Sequence, residues 1–244
     1  MSLIEKYEIN VEKIKETVKQ DGFIVVKLEN LFNLVNLARK EYAQSLKDIP
    51  LTASKYKFDY RDIKKNPIRK LSIGSKNSLG EEYGQVLQTT FIDCMNSEYE
   101  ALNEIFQLII ELRNTLMGVE LTFGFDGKEY WNASRVHHYP SGGGFMTIHR
   151  DTYFSNKIGD MFYQLLVPMS RKGEDFLSGG GVVIDLHGNK FNTDEIAGVG
   201  SIIIFDGRIL HGVDDVDSGE IIDFNSDKGR IALVSNVYEI YTEK

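Results

Sequence analysis

The apolar positions divide the chain into a helical first half and a second half of strands and turns. Val11 to Lys19 has a short helical pattern that Gly22 breaks, and Phe23-Ile24-Val25-Val26 after it reads as a buried strand. Leu31, Leu34, Val35, Ala38, Tyr42 and Leu46 then fall on one helical face. A second such helix carries Leu102, Ile105, Phe106, Ile109, Leu112 and Leu116. Asn96 or Ser97 is placed to cap its start and Gly118 to end it. Residues 50 to 92, between these helices, are less regular. From Tyr130 onward the pattern shifts to short runs: Arg135–Tyr139, Phe162–Val167, Gly181–Asp185, Ser201–Phe205 and Arg230–Tyr238. Strands at this spacing predict a sandwich or barrel. Glycine follows the same division. Only Gly22, Gly74, Gly80 and Gly84 precede residue 118, and the other eighteen lie at or after it.

Composition narrows the class without naming it. The chain has 244 residues, 42% hydrophobic and 26% charged, the profile of one soluble globular domain with a real core. Its formal net charge of −8 argues against a general nucleic-acid binder, which needs a basic field. Cys94 is the only cysteine, which excludes a disulfide framework and a cysteine metal cluster. Met1 to Lys6 has no apolar signal core, and no run is long enough to span a membrane. The expectation is a cytoplasmic protein.

Within this acidic chain one segment is basic: Lys55, Lys57, Arg61, Lys64, Lys65, Arg69, Lys70 and Lys76. A solvated surface explains it most simply. The sharper reading is a lid or rim, residues 52 to 90, that attracts an anionic substrate. The clusters Gly142–Gly144 and Gly179–Gly181 lack the lysine of a phosphate loop and read as turns between strands.

The chemistry concentrates in His149, Asp151 and His211. On a strand, positions i and i+2 share a face, so His149-Arg150-Asp151 aims an imidazole and a carboxylate into one cavity and Arg150 away from it. The third ligand must come from a distant strand, and His211 follows the apolar run Ile202-Ile203-Ile204-Phe205. Two histidines and a carboxylate on one face of an octahedron leave the other face open, as a mononuclear Fe(II) site requires. Arg230 is placed downstream to hold the distal carboxylate of a chelating cosubstrate. His137 and His138 are adjacent and face opposite ways on a strand, so one could enter the cavity; the simpler reading is one satisfied interior histidine and the other at the surface. His187 reads as part of a turn.

Residues 130 to 241 resemble the Fe(II)- and 2-oxoglutarate-dependent oxygenase superfamily, in the motif order of its prolyl-hydroxylase-like branch. His138-Tyr139-Pro140-Ser141-Gly142-Gly143-Gly144 is similar to the segment leading into that branch's His-x-Asp. Phe162 to Met169, Ser178–Gly181, His211-Gly212-Val213 and Gly229-Arg230-Ile231-Ala232-Leu233 follow in the family's order. The resemblance implies a mainly β chain: a double-stranded β-helix, or jelly roll, over residues 130–244. A helix-rich part, 1–129, would buttress it within a single domain.

It also implies Fe(II) held by His149, Asp151 and His211, and 2-oxoglutarate held by Arg230, with Tyr139 and Gln164 as candidates for a further hydrogen bond. O2 would be the second cosubstrate, with succinate and CO2 as coproducts. The related halogenases have a small residue where this chain has Asp151, so hydroxylation is the default. Desaturation, ring formation and epimerisation stay open. A small-molecule substrate such as an amino acid or natural-product intermediate is favoured, because no substrate-docking module is evident. A protein or peptide hydroxylase and a non-catalytic metal-binding sensor are the alternatives. One departure is the acidic stretch Asp214 to Lys228, which lengthens the interval from His211 to Arg230. It is read as a hairpin extension or part of the site's rim, with Asp223 and Asp227 as surface charges. Tyr153-Phe154 either lines the pocket or packs a loop.

Overall fold

A computed structural model of the chain describes residues 2–52, 60–78, 81–95, 98–151 and 162–240. In chain order the elements are α1 (Leu3–Lys6), α2 (Val11–Asp21), β1 (Phe23–Lys27), α3 (Phe32–Asp48), β2 (Leu51–Thr52), α4 (Tyr60–Lys65), β3 (Ile68–Ser78), β4 (Glu81–Phe91) and α5 (Glu100–Met117). They continue as β5 (Tyr130–Pro140), β6 (Gly144–His149), β7 (Tyr163–Pro168), β8 (Gly180–Ile184), β9 (Lys190–Asn192), α6 (Thr193–Ile196), β10 (Ser201–Asp206), β11 (His211–Val216) and β12 (Gly229–Glu239). The strands make one curled sheet in the order β1-β10-β7-β12-β5-β4-β6-β11-β8-β9, with β3 added to β4 and β2 to β3. Every pairing is antiparallel except that of β2 with β3. This is a jelly roll with helices on one outer face. Among the described residues, no helix is long and apolar enough to cross a membrane.

Strand alternation explains how the sheet serves both a core and a cavity. On β12, Ile231 and Leu233 join Val136, Leu165, Val167, Ile202 and Ile204 against the helices. The alternate residues Arg230, Val234, Asn236 and Tyr238 turn to the opposite face, where they line a cavity. With both faces covered, β12 is buried along most of its length. The helical side of the core is Val35, Ala38 and Tyr42 of α3 with Leu102, Ile105, Phe106 and Ile109 of α5, matching the predicted helical faces. Gly22 ends α2 in the left-handed region at φ 90°, and its amide closes the last turn on the Val18 carbonyl.

Three expectations need correction. The strand at Phe23 is half-buried at the edge, because it pairs with β10 alone. Residues 50 to 92 are not irregular where described. β3 and β4, eleven residues each, form a hairpin in register from Ile68↔Phe91 to Ser78↔Glu81. The helical first half therefore contributes strands too, since β4 sits between β5 and β6. The third correction concerns the cap of α5. Asn96 and Ser97 lie outside the described residues, and Tyr99 at the cap makes no side-chain cap bond. Instead, Glu41 on α3 accepts from the amides of Ala101 and Leu102 at 3.0 and 2.9 Å. A carboxylate at a helix N-terminus satisfies two open donors and opposes the helix dipole. Glu41→Ala should destabilise the fold by about 1–2 kcal/mol, read as a lower urea midpoint with an unchanged slope.

The basic segment divides by strand alternation. Arg69 is buried and bonds Gln88 Oε1, the Leu46 carbonyl and the Phe224 carbonyl, whereas Lys70 lines the cavity. Phe224 belongs to the long stretch before Arg230, and Gln88 also donates to its carbonyl at 3.0 Å. That stretch is tied down at its start by Asp217, which accepts from the amides of Leu177 and Ser178, each at 2.8 Å. Within residues 214 to 228 the Phe224 carbonyl thus meets both β3 and β4, and none of the stretch lines the cavity. Asp223 is exposed, as expected. Asp227 is also a surface charge, and it pairs with Arg39 at 3.4 Å. Lys55, Lys57, Tyr153, Phe154 and parts of the proposed 52–90 lid fall outside the described residues.

Candidate metal centre

His149 closes β6 and His211 opens β11, and the two are direct cross-strand partners. Asp151 lies just beyond β6 rather than on it, anchored by its amide to the Gly207 carbonyl at 2.9 Å. The predicted His-x-Asp geometry therefore straddles a strand end, yet its outcome is as expected. One ligand atom from each of the three residues can be chosen so that all lie within 4.8 Å of one another. His149 Nε2 is 3.8 Å from Asp151 Oδ1, and His211 Nε2 is 3.6 Å from Asp151 Oδ2.

The hydrogen bonds around the rings decide what these atoms can do. His149 Nδ1 faces the Thr147 carbonyl at 2.9 Å, and His211 Nδ1 faces the Ile209 carbonyl at 3.0 Å. A carbonyl only accepts, so each Nδ1 carries its hydrogen and donates. Each Nε2 is then left with a lone pair, turned toward the Asp151 carboxylate. Two lone pairs and an anion at this spacing repel one another unless a cation lies between them, so the donor set fits a metal ion. His149 is further held by Tyr83, whose ring stacks on it at 4.9 Å, and His211 by Phe205 at 4.8 Å.

Gln164, a candidate for a hydrogen bond to the cosubstrate, lines the cavity and donates from Nε2 to Asp151 Oδ2 at 2.6 Å. It lies on β7 opposite Phe205 of β10, and this bond orients the carboxylate. Gln164→Ala should weaken metal binding by about 10- to 100-fold, the usual cost of losing a partner that orients a ligand. Titration of Co(II) against a competing chelator measures this, and an unchanged affinity would refute the orienting role.

The triad opens on a cavity of about 250 Å³ walled by the inward faces of β3, β4, β5, β7, β8, β10, β11 and β12. Solved structures share this architecture. A prolyl-4-hydroxylase from Pseudomonas putida superposes with a TM-score of 0.55 at 13% identity, over 92% of this chain and 96% of that one. A prolyl hydroxylase from Trichoplax adhaerens, in complex with a peptide of the hypoxia-inducible factor, gives 0.58 at 12% identity over 97% and 91%. The non-haem α-ketoglutarate-dependent epimerase SnoN of nogalamycin biosynthesis gives 0.54 at 12% identity over 93% and 81%. The chain has the fold of the 2-oxoglutarate–Fe(II) oxygenases. No family model and no curated protein matches its sequence.

Within this oxygenase fold Arg230 lies in the same cavity as the triad, but it is not a lone cation. Its Nε donates to Asp194 Oδ2 at 2.7 Å, and both side chains are only 3% exposed. Asp194 also accepts from the Gly181 amide at 2.5 Å. The pairing engages Nε alone and leaves both Nη groups without a hydrogen bond to a described residue, in a side chain that lines the cavity. Gly181 makes room for them, since a Cβ there would stand 2.5 Å from Arg230 Nη2 and would also collide with the Thr193 hydroxyl. Tyr139 is the cross-strand partner of Arg230, with the guanidinium carbon 5.7 Å from its ring. Burial pushes the Tyr139 phenol up to about 12, so it stays a hydrogen-bond donor near neutral pH. Its hydroxyl meets only a weak acceptor among the described residues, Met146 Sδ at 4.0 Å.

The remaining histidines sort by strand face. His138 is buried toward the helices and fully satisfied, donating from Nε2 to the Lys228 carbonyl at 2.8 Å and accepting from Tyr42 at 3.1 Å. Burial lowers its pKa to about 4, so it is neutral there. His137, on the opposite face from His138, lines the cavity rather than the surface. His187 is exposed beside Asp21. Sequence reasoning missed Asp194, Tyr83 and Arg135. Asp194 and Tyr83 become visible only once the topology brings distant segments together. Arg135 was legible as the start of the row Arg135-x-His137-x-Tyr139 on one strand face.

Proposed function

We propose that this protein is an Fe(II)- and 2-oxoglutarate-dependent dioxygenase that hydroxylates a small molecule and releases succinate and CO2. The observation that carries the reading is the convergence of His149 Nε2, His211 Nε2 and the Asp151 carboxylate at a cavity that Arg230 also lines. Bound iron, with 2-oxoglutarate and O2, would supply the oxidising power for insertion of oxygen into a C–H bond.

The chain's own residues do the rest. His149, Asp151 and His211 hold the metal, with both imidazoles kept in the ligating tautomer by the Thr147 and Ile209 carbonyls. Gln164 holds the Asp151 carboxylate in place. The Nη edge of Arg230 and the protonated Tyr139 phenol offer charge and hydrogen bonds to the distal carboxylate of 2-oxoglutarate. Leu87, Leu166, Val183, Ile203 and Val213 give apolar walls that exclude water. Asp151 occupies the position that a halide would need, which favours hydroxylation over halogenation. A cavity walled by strands on most sides suits a small substrate better than a folded protein.

The test is succinate formation by protein reconstituted anaerobically with Fe(II) and then given 2-oxoglutarate and air. Succinate should require both Fe(II) and 2-oxoglutarate and should rise with a productive substrate. Protein that holds iron yet forms no succinate, alone or with a broad substrate panel, would instead be a binding or sensing protein.

A further inference from the structure

The cavity has a second charged feature that the proposed metal and cosubstrate leave unused. On β5 the inward row runs Arg135, His137, Tyr139, so Arg135 stands on the same wall as Tyr139, about 13 Å along the strand. Its guanidinium carbon lies 5.9 Å from the centre of the Phe91 ring and 5.6 Å from that of Tyr238. One Nη1 hydrogen goes to the Tyr238 hydroxyl at 3.1 Å. Nε is buried and has no hydrogen-bond partner among the described residues, and Nη2 makes no hydrogen bond to a described residue either. A buried guanidinium donor without an acceptor is costly. Asp151 is the only carboxylate among the described residues lining the cavity, and it belongs to the metal centre. Lys70 adds a third cation to the cavity's lining beside Arg135 and Arg230, and Ser72, Thr89 and Asn236 are neutral polar lining residues.

We propose that Arg135 is the substrate-anchoring residue and that the substrate carries a carboxylate, held by Nη2 of this guanidinium while the rest of the molecule extends toward the metal centre. Nη2, which the fold leaves without a hydrogen bond and does not seal off as it does Nε, is the donor that a carboxylate can meet in a charge-assisted hydrogen bond. The site is distinct from Arg230, whose Nε is taken by Asp194. The proposal rests on reading the cavity as an oxygenase site.

Isothermal titration calorimetry separates the two readings. Zn(II) is titrated into the full chain and 2-oxoglutarate into the Zn(II) form; failure of either step counts against the oxygenase reading alone. Alkyl, aryl, α-amino and N-acyl-α-amino carboxylates, each beside its own primary amide, are then titrated into the most fully loaded form obtained. At least one carboxylate should bind roughly 10- to 100-fold more tightly than its amide, the range expected for charge-assisted hydrogen bonds. Arg135→Met, which keeps bulk beside Phe91 and Tyr238, should erase that preference and leave 2-oxoglutarate affinity in place. Arg135→Lys should retain part of it. Amides binding as well as carboxylates, no carboxylate binding at all, or a preference that survives in Arg135→Met would each overturn the assignment. If Arg135→Met fails to fold, the wild-type comparison and Arg135→Lys decide it.

Discussion

Replacing His149 by alanine should abolish iron binding and all 2-oxoglutarate-dependent succinate formation. The same change at His137 should leave the metal content intact. Both histidines line one cavity, so the contrast tests ligand geometry rather than polarity. His149 faces His211 across β6 and β11, and each presents Nε2 to the Asp151 carboxylate within 4 Å. His137 is not in that group. Losing one of three ligands leaves two donors, too few to hold a labile divalent ion in a defined face. The loss should exceed the ~10- to 100-fold that follows removal of an orienting partner such as Gln164. Metal content after gel filtration and succinate by NMR are the readouts. Iron retained at wild-type stoichiometry in His149→Ala would sink the ligand assignment.

Asp194→Ala should produce the largest stability loss at the site and should make the fold unusually responsive to 2-oxoglutarate. Arg230 and Asp194 are both almost wholly buried and joined at 2.7 Å. Removing one member of such a pair strands the other charge, at a cost of about 3–5 kcal/mol. For a chain of this length each kcal/mol corresponds to about 2–4 °C, so the melting temperature should fall by about 10 °C. The distal carboxylate of 2-oxoglutarate can then serve as the missing counter-charge. It should raise the melting temperature of Asp194→Ala by more than that of the wild type in the presence of Zn(II). A variant that melts within about 2 °C of wild type, or one indifferent to 2-oxoglutarate, would show that Arg230 is held by something other than this pair.

What could be read from the sequence was whatever depends on local period or short spacing. The faces of α3 and α5 follow from residues three and four apart, and the strands of the second half from runs between glycines. The metal triad was legible because His149 and Asp151 are near neighbours and His211 follows the next long apolar run. The β3–β4 hairpin was not legible. Its buried face holds Arg69 and its cavity face Lys70, so charge sits where a strand pattern needs alternating apolar residues. Arg69 is buried only because the Leu46 and Phe224 carbonyls and Gln88 meet it from distant segments. The same limit applies to the N-terminus of α5, which is satisfied by Glu41 of another helix, and to Gln164, whose partner is a carboxylate on another segment. Asp194 stands 36 residues from Arg230, a pairing that no local pattern encodes.

The interleaved sheet also sets a timetable for the growing chain. Phe23 of β1 pairs with Phe205 of β10, and the carbonyl that Arg69 needs is that of Phe224. At about 5–20 residues per second on the ribosome, β1 is complete roughly 10–40 s before its partner exists. Throughout that interval Phe23-Ile24-Val25-Val26 is an unpaired apolar edge, the kind of segment that recruits other chains. Nascent chains stalled before residue 201 should therefore be held by chaperones or aggregate, and folding of the sheet must wait until nearly the whole chain has been made.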